Sequence, residues 1–260
     1  MPELPEVETV VRDLRPVLPG RRIEAIRVHS ALVAGRDLEE VSGSVRAVRR
    51  HGKYILLDCD SGSLTIHLGM TGKLLLQGER GPHTRVEFFL DRGGMLLYDD
   101  IRMFGKMFWS VDVHPRVACL GPDALAVEAQ NFLAGLKARH RQLKPLLLDQ
   151  GFVAGLGNIY VDEILFRAGL HPCAVASELR RGRAVQLYET MRATLAEAID
   201  ARGSSISDYV DASNRRGSFQ LSHRVYGKAG QPCPRCGSPI VRIVLAQRGT
   251  HLCPRCQKPS

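Results

Sequence analysis

The first eight residues, Met1-Pro2-Glu3-Leu4-Pro5-Glu6-Val7-Glu8, place a potential nucleophile beside potential proton-transfer groups. Removal of Met1 exposes Pro2 as a secondary amine. An α-amino group has a reference pKa of about 7.7 to 8.0, so an appreciable fraction is unprotonated near neutrality and can attack an electrophilic carbon to give a Schiff base. Glu3, Glu6 and Glu8 supply carboxylates able to carry protons. The same residues also fit a plain helix start, with Pro5 in the first turn and acids at the positive end of the dipole. Val7, Val10, Val11, Leu14 and Leu18 form one stripe at helical spacing before Pro19-Gly20, which predicts a helix directly behind the amine. On these residues alone, chemistry and capping both remain open.

A second set of chemically able residues lies at the far end. Cys233-Pro-Arg-Cys236 and Cys253-Pro-Arg-Cys256 are two identical knuckles separated by sixteen residues. Four thiolates so spaced suit tetrahedral Zn²⁺, and a closed set of four leaves no position for substrate or activated water, so the metal is expected to be structural. Two disulfides are the rival reading, disfavoured in a reducing compartment. Between the knuckles, Ile240 to Leu245 and Gln247 to Thr250 read as a hairpin with Arg248 at its tip. Cys59, Cys119 and Cys173 are scattered and read as small core residues.

The elements that must position these groups divide near residues 112 to 122, where Asp112-Val-His-Pro115 and Leu120-Gly-Pro122 punctuate the chain. Before that point strands are predicted over 23–28, 54–58, 64–68, 86–90, 95–98 and 107–111, in a sandwich or barrel. After it, helices are predicted over 125–137, 143–149, 158–168 and along the Val185, Tyr188, Met191, Leu195, Ile199 stripe, with Gly203 as a stop. Residues 204–231 read as a mobile connection. The 260 residues are 44% apolar, enough for two modest cores. No apolar run reaches the ~20 residues of a membrane span and no signal-peptide region is seen, so a cytoplasmic location is expected. A net charge of +9 suits a partner rich in phosphates, although basic solvated faces are common.

Three shorter motifs add to this. Gly155-Leu-Gly157-Asn158-Ile-Tyr160 sets two glycines before a helix start, where free N–H groups can grip a phosphate; Tyr160 in place of a third glycine argues against a dinucleotide fold. His67-Leu-Gly-Met70 puts a methionine at a turn, and Arg102-Met-Phe104 puts Arg and Phe on one face of extended chain. Apolar wedges and arginines of this kind fill the gap left by a flipped base, whereas core packing is the plainer reading of Met70 and Phe104.

Taken in order, Pro2 to Thr9, His67 to Met70, Arg102 to Gly105, Gly155 to Tyr160 and the paired cysteines closely resemble the bacterial formamidopyrimidine-DNA glycosylases over essentially the whole chain. The resemblance implies an α+β fold in two domains: an N-terminal β-sandwich with an N-terminal helix, then a helical domain with a helix-two-turns-helix motif and a four-cysteine zinc finger. The boundaries expected are 1–112 for the helix and catalytic sandwich, 113–122 for a linker, 123–220 for the helical DNA-binding domain and 221–260 for the finger. The implied activity is base-excision repair of 8-oxoguanine and ring-opened purines in duplex DNA, followed by β,δ-elimination at the abasic site. The chain is expected to work as a monomer, without a membrane and close to the nucleoid.

Carried over residue by residue, the resemblance makes Pro2 the attacking amine and Glu3 the proton carrier, with Glu6 and Glu163 supporting the N-terminus by hydrogen bonding. Lys53 belongs to the same catalytic set and grips phosphate together with His67, Asn158, Tyr226 and Arg248. Met70, Arg102 and Phe104 fill the void, and Arg215 lies in the loop that closes over the extruded base. Cys233, Cys236, Cys253 and Cys256 hold one structural zinc. Three positions depart from the family pattern: Met103 stands where a second arginine is common, Arg215 where a lysine is expected, and Ser218 where an aromatic is expected. Two alternatives remain, an endonuclease VIII-like enzyme for oxidised pyrimidines, against which Leu4 speaks, and a damaged-DNA-binding protein without chemistry, against which Pro2 and Glu3 speak.

Overall fold

The computed structural model describes residues 1–76, 78–206 and 208–259. The chain packs as two units, one built from Met1–Cys119 with Ala198–Gln220 and the other from Leu120–Glu197 with Leu221–Ser260.

In the first unit, α1 (Leu4–Leu14) places Val7, Val10, Val11 and Leu14 in the core, as the stripe predicts, and Leu18 stays buried past its end. Eight strands follow: β1 (Arg22–Val28), β2 (Gly43–His51), β3 (Tyr54–Cys59), β4 (Ser63–His67), β5 (Lys73–Leu75), β6 (Thr84–Leu90), β7 (Gly94–Asp99) and β8 (Lys106–Ser110). They run in the order β5-β7-β6-β1-β2-β3-β4-β8, every pair antiparallel. Only Arg22↔Ser44 and Ile23↔Gly43 join β1 to β2, so the sheet is two four-stranded halves linked at one corner. Ile26, Val86 and Phe88 from one half and Val48, Ile55, Leu57 and Ile66 from the other share one buried cluster with α1, the arrangement of a sandwich.

Two strands were not expected. In β2 the register shifts between Val45 and Ala47, so its buried valines fall three apart and the period of two is lost among Arg46, Arg49 and Arg50. The other, β5, has three residues and too little sequence to show a period.

The second unit contains α3 (Ala129–Lys137), α4 (Leu143–Leu148), α5 (Asn158–Ala168) and α6 (Arg181–Asp200), the short α2 (Pro115–Ala118) lying before it in the chain. Gly169, left-handed at φ 63, ends α5. The hairpin β9 (Val241–Leu245) and β10 (Arg248–Leu252) turns through Ala246 and Gln247, both at positive φ, as a tight two-residue connection requires.

Packing groups the C-terminal third differently from the sequence segments expected. Residues 198–220 join the sandwich because Arg202 pairs with Asp13, the Leu76 N–H meets the Ala212 carbonyl, and Tyr209 is buried against the core. The zinc-finger segment joins the helices: the Arg235 guanidinium donates to the Phe166 and Arg167 carbonyls, and Gln257 donates to the Leu170 carbonyl. Among the described residues of 204–231, expected as a mobile connection, Ser204, Ser205, Asp211, Phe219, His223 and Val225 are all buried.

Candidate active site and nucleic-acid interface

At the N-terminus, Pro2 is buried and Met1 is half exposed. Glu3 is the N-cap of α1, extended at φ −103 and ψ −171 and 3% exposed. The Glu6 carboxylate turns back to accept the Glu3 backbone N–H at 2.8 Å and also accepts the Ser204 N–H at 2.7 Å. Tyr209 donates its hydroxyl to the Glu6 carbonyl at 3.1 Å. Gly203 is needed beside this carboxylate, since it holds φ +79 and a Cβ there would come within 2.7 Å of Glu6 Oε1. Capping and chemistry, alternatives on sequence alone, are thus compatible: Glu6 holds the cap through its side chain, and the residue held is the one beside Pro2.

Lys53, at the β2–β3 turn, is buried, and its charge reaches His67 at the end of β4. Burial first, then Lys53 and Arg116, push the His67 imidazole down to about 4, so it is neutral at physiological pH. Its Nδ1 accepts the Gly69 N–H at 3.2 Å, which leaves the proton on Nε2. A neutral imidazole with Nε2–H is a donor suited to a phosphate oxygen.

Met70 and Phe104 are 41% and 50% exposed, which removes core packing as their explanation. Arg102 is exposed as well, and its guanidinium lies over the Phe104 ring at 4.6 Å from the centroid. Met103, the departure from the family pattern, turns the other way: at φ 54 it packs on the core and takes a contact from the Ser30 hydroxyl at 3.4 Å. Arg215 is tied to Asp211 through its Nε at 3.1 Å, and the same carboxylate pairs with Arg202.

In the second unit, Asn158 opens α5 and its side-chain amide donates to the Gly249 carbonyl at 3.0 Å, next to exposed Arg248 at the hairpin tip. Sequence reasoning missed the groups that hold this tip. Lys144, wholly buried, donates to Asp162 at 2.6 Å and to the same Gly249 carbonyl at 3.1 Å, while Asp162 accepts the His251 N–H at 2.9 Å. A lysine in a helix reads as solvated, and only tertiary packing reveals such a pair.

Glu163, expected to support the N-terminus, directs its described hydrogen bonds elsewhere. It accepts the N–H groups of Arg224, Val225 and Tyr226 at 2.9 Å, fixing the loop that carries Tyr226. The Tyr226 ring then meets His251 edge-on at 5.1 Å between centroids.

The Sγ atoms of Cys233, Cys236, Cys253 and Cys256 lie within 4.8 Å of one another, with Cys233–Cys256 at 3.9 Å and Cys236–Cys253 at 3.5 Å. Four Zn–S bonds of about 2.3 Å give tetrahedral edges near ~3.8 Å, whereas a disulfide needs about 2.05 Å, so the set fits zinc. The Arg235 and Cys256 N–H groups point at Cys233 and Cys253 sulfur, a contact that suits metal-bound thiolates.

Comparison with known proteins agrees with this geometry. A family model described as the formamidopyrimidine-DNA glycosylase N-terminal domain matches residues 1–107, the helix-two-turns-helix domain of the same enzymes matches 120–210, and a zinc finger found in these proteins and in IleRS matches 230–259. A formamidopyrimidine-DNA glycosylase of Solibacter usitatus is 49% identical over 99% of this chain and 100% of its own. The crystal structure of the MutM (Fpg) protein from Thermus thermophilus is similar at a TM-score of 0.88 and 41% identity, covering 100% of both chains. A Lactococcus lactis Fpg variant in complex with DNA containing Fapy-dG is similar at a TM-score of 0.88 and 35% identity, covering 99% of this chain and 100% of that one. Matched over three successive family models and at 49% identity over nearly its whole length, the chain belongs to the formamidopyrimidine-DNA glycosylase family.

Proposed function

We propose that Pro2, freed of Met1, is the nucleophile of a base-excision-repair enzyme and that Glu3 carries protons beside it. The enzyme is a DNA glycosylase for oxidised purines with AP lyase activity, as the family's members are. In the first step the Pro2 nitrogen adds to C1′ of the damaged nucleotide, the N-glycosidic bond breaks and the base leaves, taking a proton. Glu3 protonates the sugar ring oxygen as the ring opens, and the Pro2 nitrogen becomes an iminium joined to C1′. This iminium accepts electron density from the C2′–H bond, so loss of that proton expels the 3′ phosphate. A second elimination expels the 5′ phosphate, and hydrolysis frees Pro2. Zinc, held by the four cysteines, supplies structure to the finger and takes no part in these steps.

The observation that carries this reading is the buried hydrogen bonding of Glu6, which fixes Glu3 at the start of α1 immediately after Pro2. In this reading His67 and Lys53 grip phosphate, Met70, Arg102 and Phe104 fill the gap of the extruded nucleotide, and Arg215 contributes to the loop over the base. Asn158, Tyr226 and Arg248 grip the backbone from the second unit, and Glu163 positions Tyr226. Backbone contacts place the protein without reading sequence, as suits a lesion that arises anywhere.

Duplex DNA with oxidised bases or abasic sites is the partner, and the protein acts as a monomer on nucleoid DNA in the cytoplasm. Among the described residues no helix is long and apolar enough to cross a membrane. Borohydride trapping tests the whole reading: an adduct with 8-oxoguanine opposite cytosine, lost when Met1 is retained and the Pro2 nitrogen is an amide, is expected. Preferential trapping on an oxidised pyrimidine would shift the assignment to the endonuclease VIII-like reading, and binding without adduct would leave a protein without chemistry.

A further inference from the structure

Two separate turns carry the exposed residues assigned to the wedge, one ending in Met70 and the other running from Arg102 to Phe104. One side chain touches both. Asp100, wholly buried, accepts the Thr71 hydroxyl at 2.5 Å and the Arg102 N–H at 3.2 Å on Oδ1, and the Gly105 N–H at 2.8 Å on Oδ2. The Arg102 N–H is shared with Thr71 Oγ1, also at 3.2 Å. The Tyr98 hydroxyl sits 3.3 Å from both Asp100 Oδ2 and the Leu68 carbonyl, so its one proton serves either turn. The backbones themselves touch, because a Cβ on Gly69 would lie 2.5 Å from the Gly105 nitrogen. Between the two exposed tips of the second turn, Met103 is half-buried and packs against the core.

We propose that Asp100 is a positioning residue that locks these two turns together, so that Met70, Arg102 and Phe104 enter the base stack as one preformed element. The inference rests on the wedge role proposed above. A buried carboxylate fully occupied by donors from two loops cannot release one without leaving polar groups unsatisfied, which makes independent motion of the tips costly. A wedge that must part stacked bases benefits from arriving already ordered, since ordering it during insertion would draw on the same binding energy.

The test is a stopped-flow measurement on a duplex carrying 8-oxoguanine with 2-aminopurine beside it, whose fluorescence rises as neighbouring bases unstack. Asp100→Asn turns one acceptor into a donor facing an N–H or a hydroxyl, and is expected to slow the unstacking phase by about ten-fold. Thr71→Val is expected to slow it about three-fold and Thr71→Ser to restore the native rate, because Ser keeps the hydroxyl. Borohydride trapping of Asp100→Asn on a single strand with an abasic site, which presents no stacked gap, should stay within about two-fold, which separates a misplaced wedge from a damaged fold. An unstacking phase unchanged in Asp100→Asn overturns the inference. Should that variant fail to fold, the Thr71 pair decides: a slow Val with a normal Ser supports the lock, and equal native rates for both overturn it. Met70→Ala combined with Phe104→Ala runs in parallel. If that pair leaves unstacking intact, the wedge reading itself fails; if it slows unstacking while Asp100→Asn does not, only the lock fails.

Discussion

The N-terminal helix and the C-terminal hairpin solve one problem, the placing of a residue with a proposed role in DNA chemistry or binding, by opposite means. At the N-terminus, Pro2 and Glu3 lead into a helix whose Leu4, Val7, Val10, Val11 and Leu14 are buried in the large sandwich core, and Glu6 completes the anchorage through backbone donors. At the C-terminus, Arg248 stands on a two-stranded hairpin whose buried cluster is little more than Phe166, Val225, Ile240 and the ligand cysteines. An isolated hairpin is marginal in water, and so small a core needs a cross-link. Apolar burial holds the proposed nucleophile; the four-cysteine metal site holds the proposed grip.

The largest expected effect breaks the N-terminal end chemically without disturbing its fold. A form retaining Met1 has its Pro2 nitrogen in a tertiary amide and should give no borohydride adduct, while Glu3→Gln, with the amine intact, should lower turnover by roughly 10²- to 10⁴-fold. Intact trapping in the Met1-retaining form would remove Pro2 as nucleophile. At the other end, zinc chelation should unfold the finger, since metal binding supplies about 10 to 16 kcal/mol to such modules, and should weaken DNA affinity on the order of 10- to 100-fold. The finger would have no part in DNA binding if chelated protein bound DNA as well as the native form.

Two carboxylates sharpen the comparison at equal chemistry. Glu6→Gln and Glu163→Gln each replace an acceptor by a donor opposite buried N–H groups, and each should cost about 2 to 3 kcal/mol in denaturant unfolding. Only the first should also lower lyase activity on single-stranded abasic DNA. Equal loss of that activity in both variants would mean that Glu163 reaches the chemistry after all.

Protonation should treat the two units alike. Burial, followed by Lys53 and Arg116 for His67 and by Lys228 and Arg167 for His223, lowers both imidazoles from 6.5 to about 4. Folding therefore favours the neutral ring. The unfolded chain binds these protons first, so stability is full above pH 6.5, falls as pH drops toward 4, and changes no further below that through these groups. At about pH 5.5 the loss is about 1.4 kcal/mol for each histidine, and His67→Gln should remove its share in pH-dependent urea titrations. The smallest effect is expected from Arg248→Ala: a few-fold weaker binding, with the slope of affinity against salt reduced by about one, checked by titrating DNA at several ionic strengths.

How much of this was legible depends on whether the signal was local. The α1 stripe, the α5 start after Gly157 and the hairpin between the knuckles were readable because each rests on a period or spacing within a few residues. The bulged β2 was not, because its extra residue breaks the alternation. Met70 and Phe104 could not be told from core residues until their exposure was seen, and Lys144 could not be told from a surface lysine until its burial was.

By itself the sequence determined the chemistry available: an amine behind Met1, carboxylates beside it, four thiols at zinc spacing, and the motifs that mark the family. Residue type and short-range spacing are written in order along the chain, so these needed no fold. Only the tertiary structure decided which buried acid serves which segment. Glu6 meets Ser204, Asp100 meets both Thr71 and Gly105, and Glu163 meets Tyr226. In each case a buried carboxylate must find its donors wherever folding brings backbone N–H groups and hydroxyls within reach, and for Glu6 and Glu163 those donors lie far away in sequence.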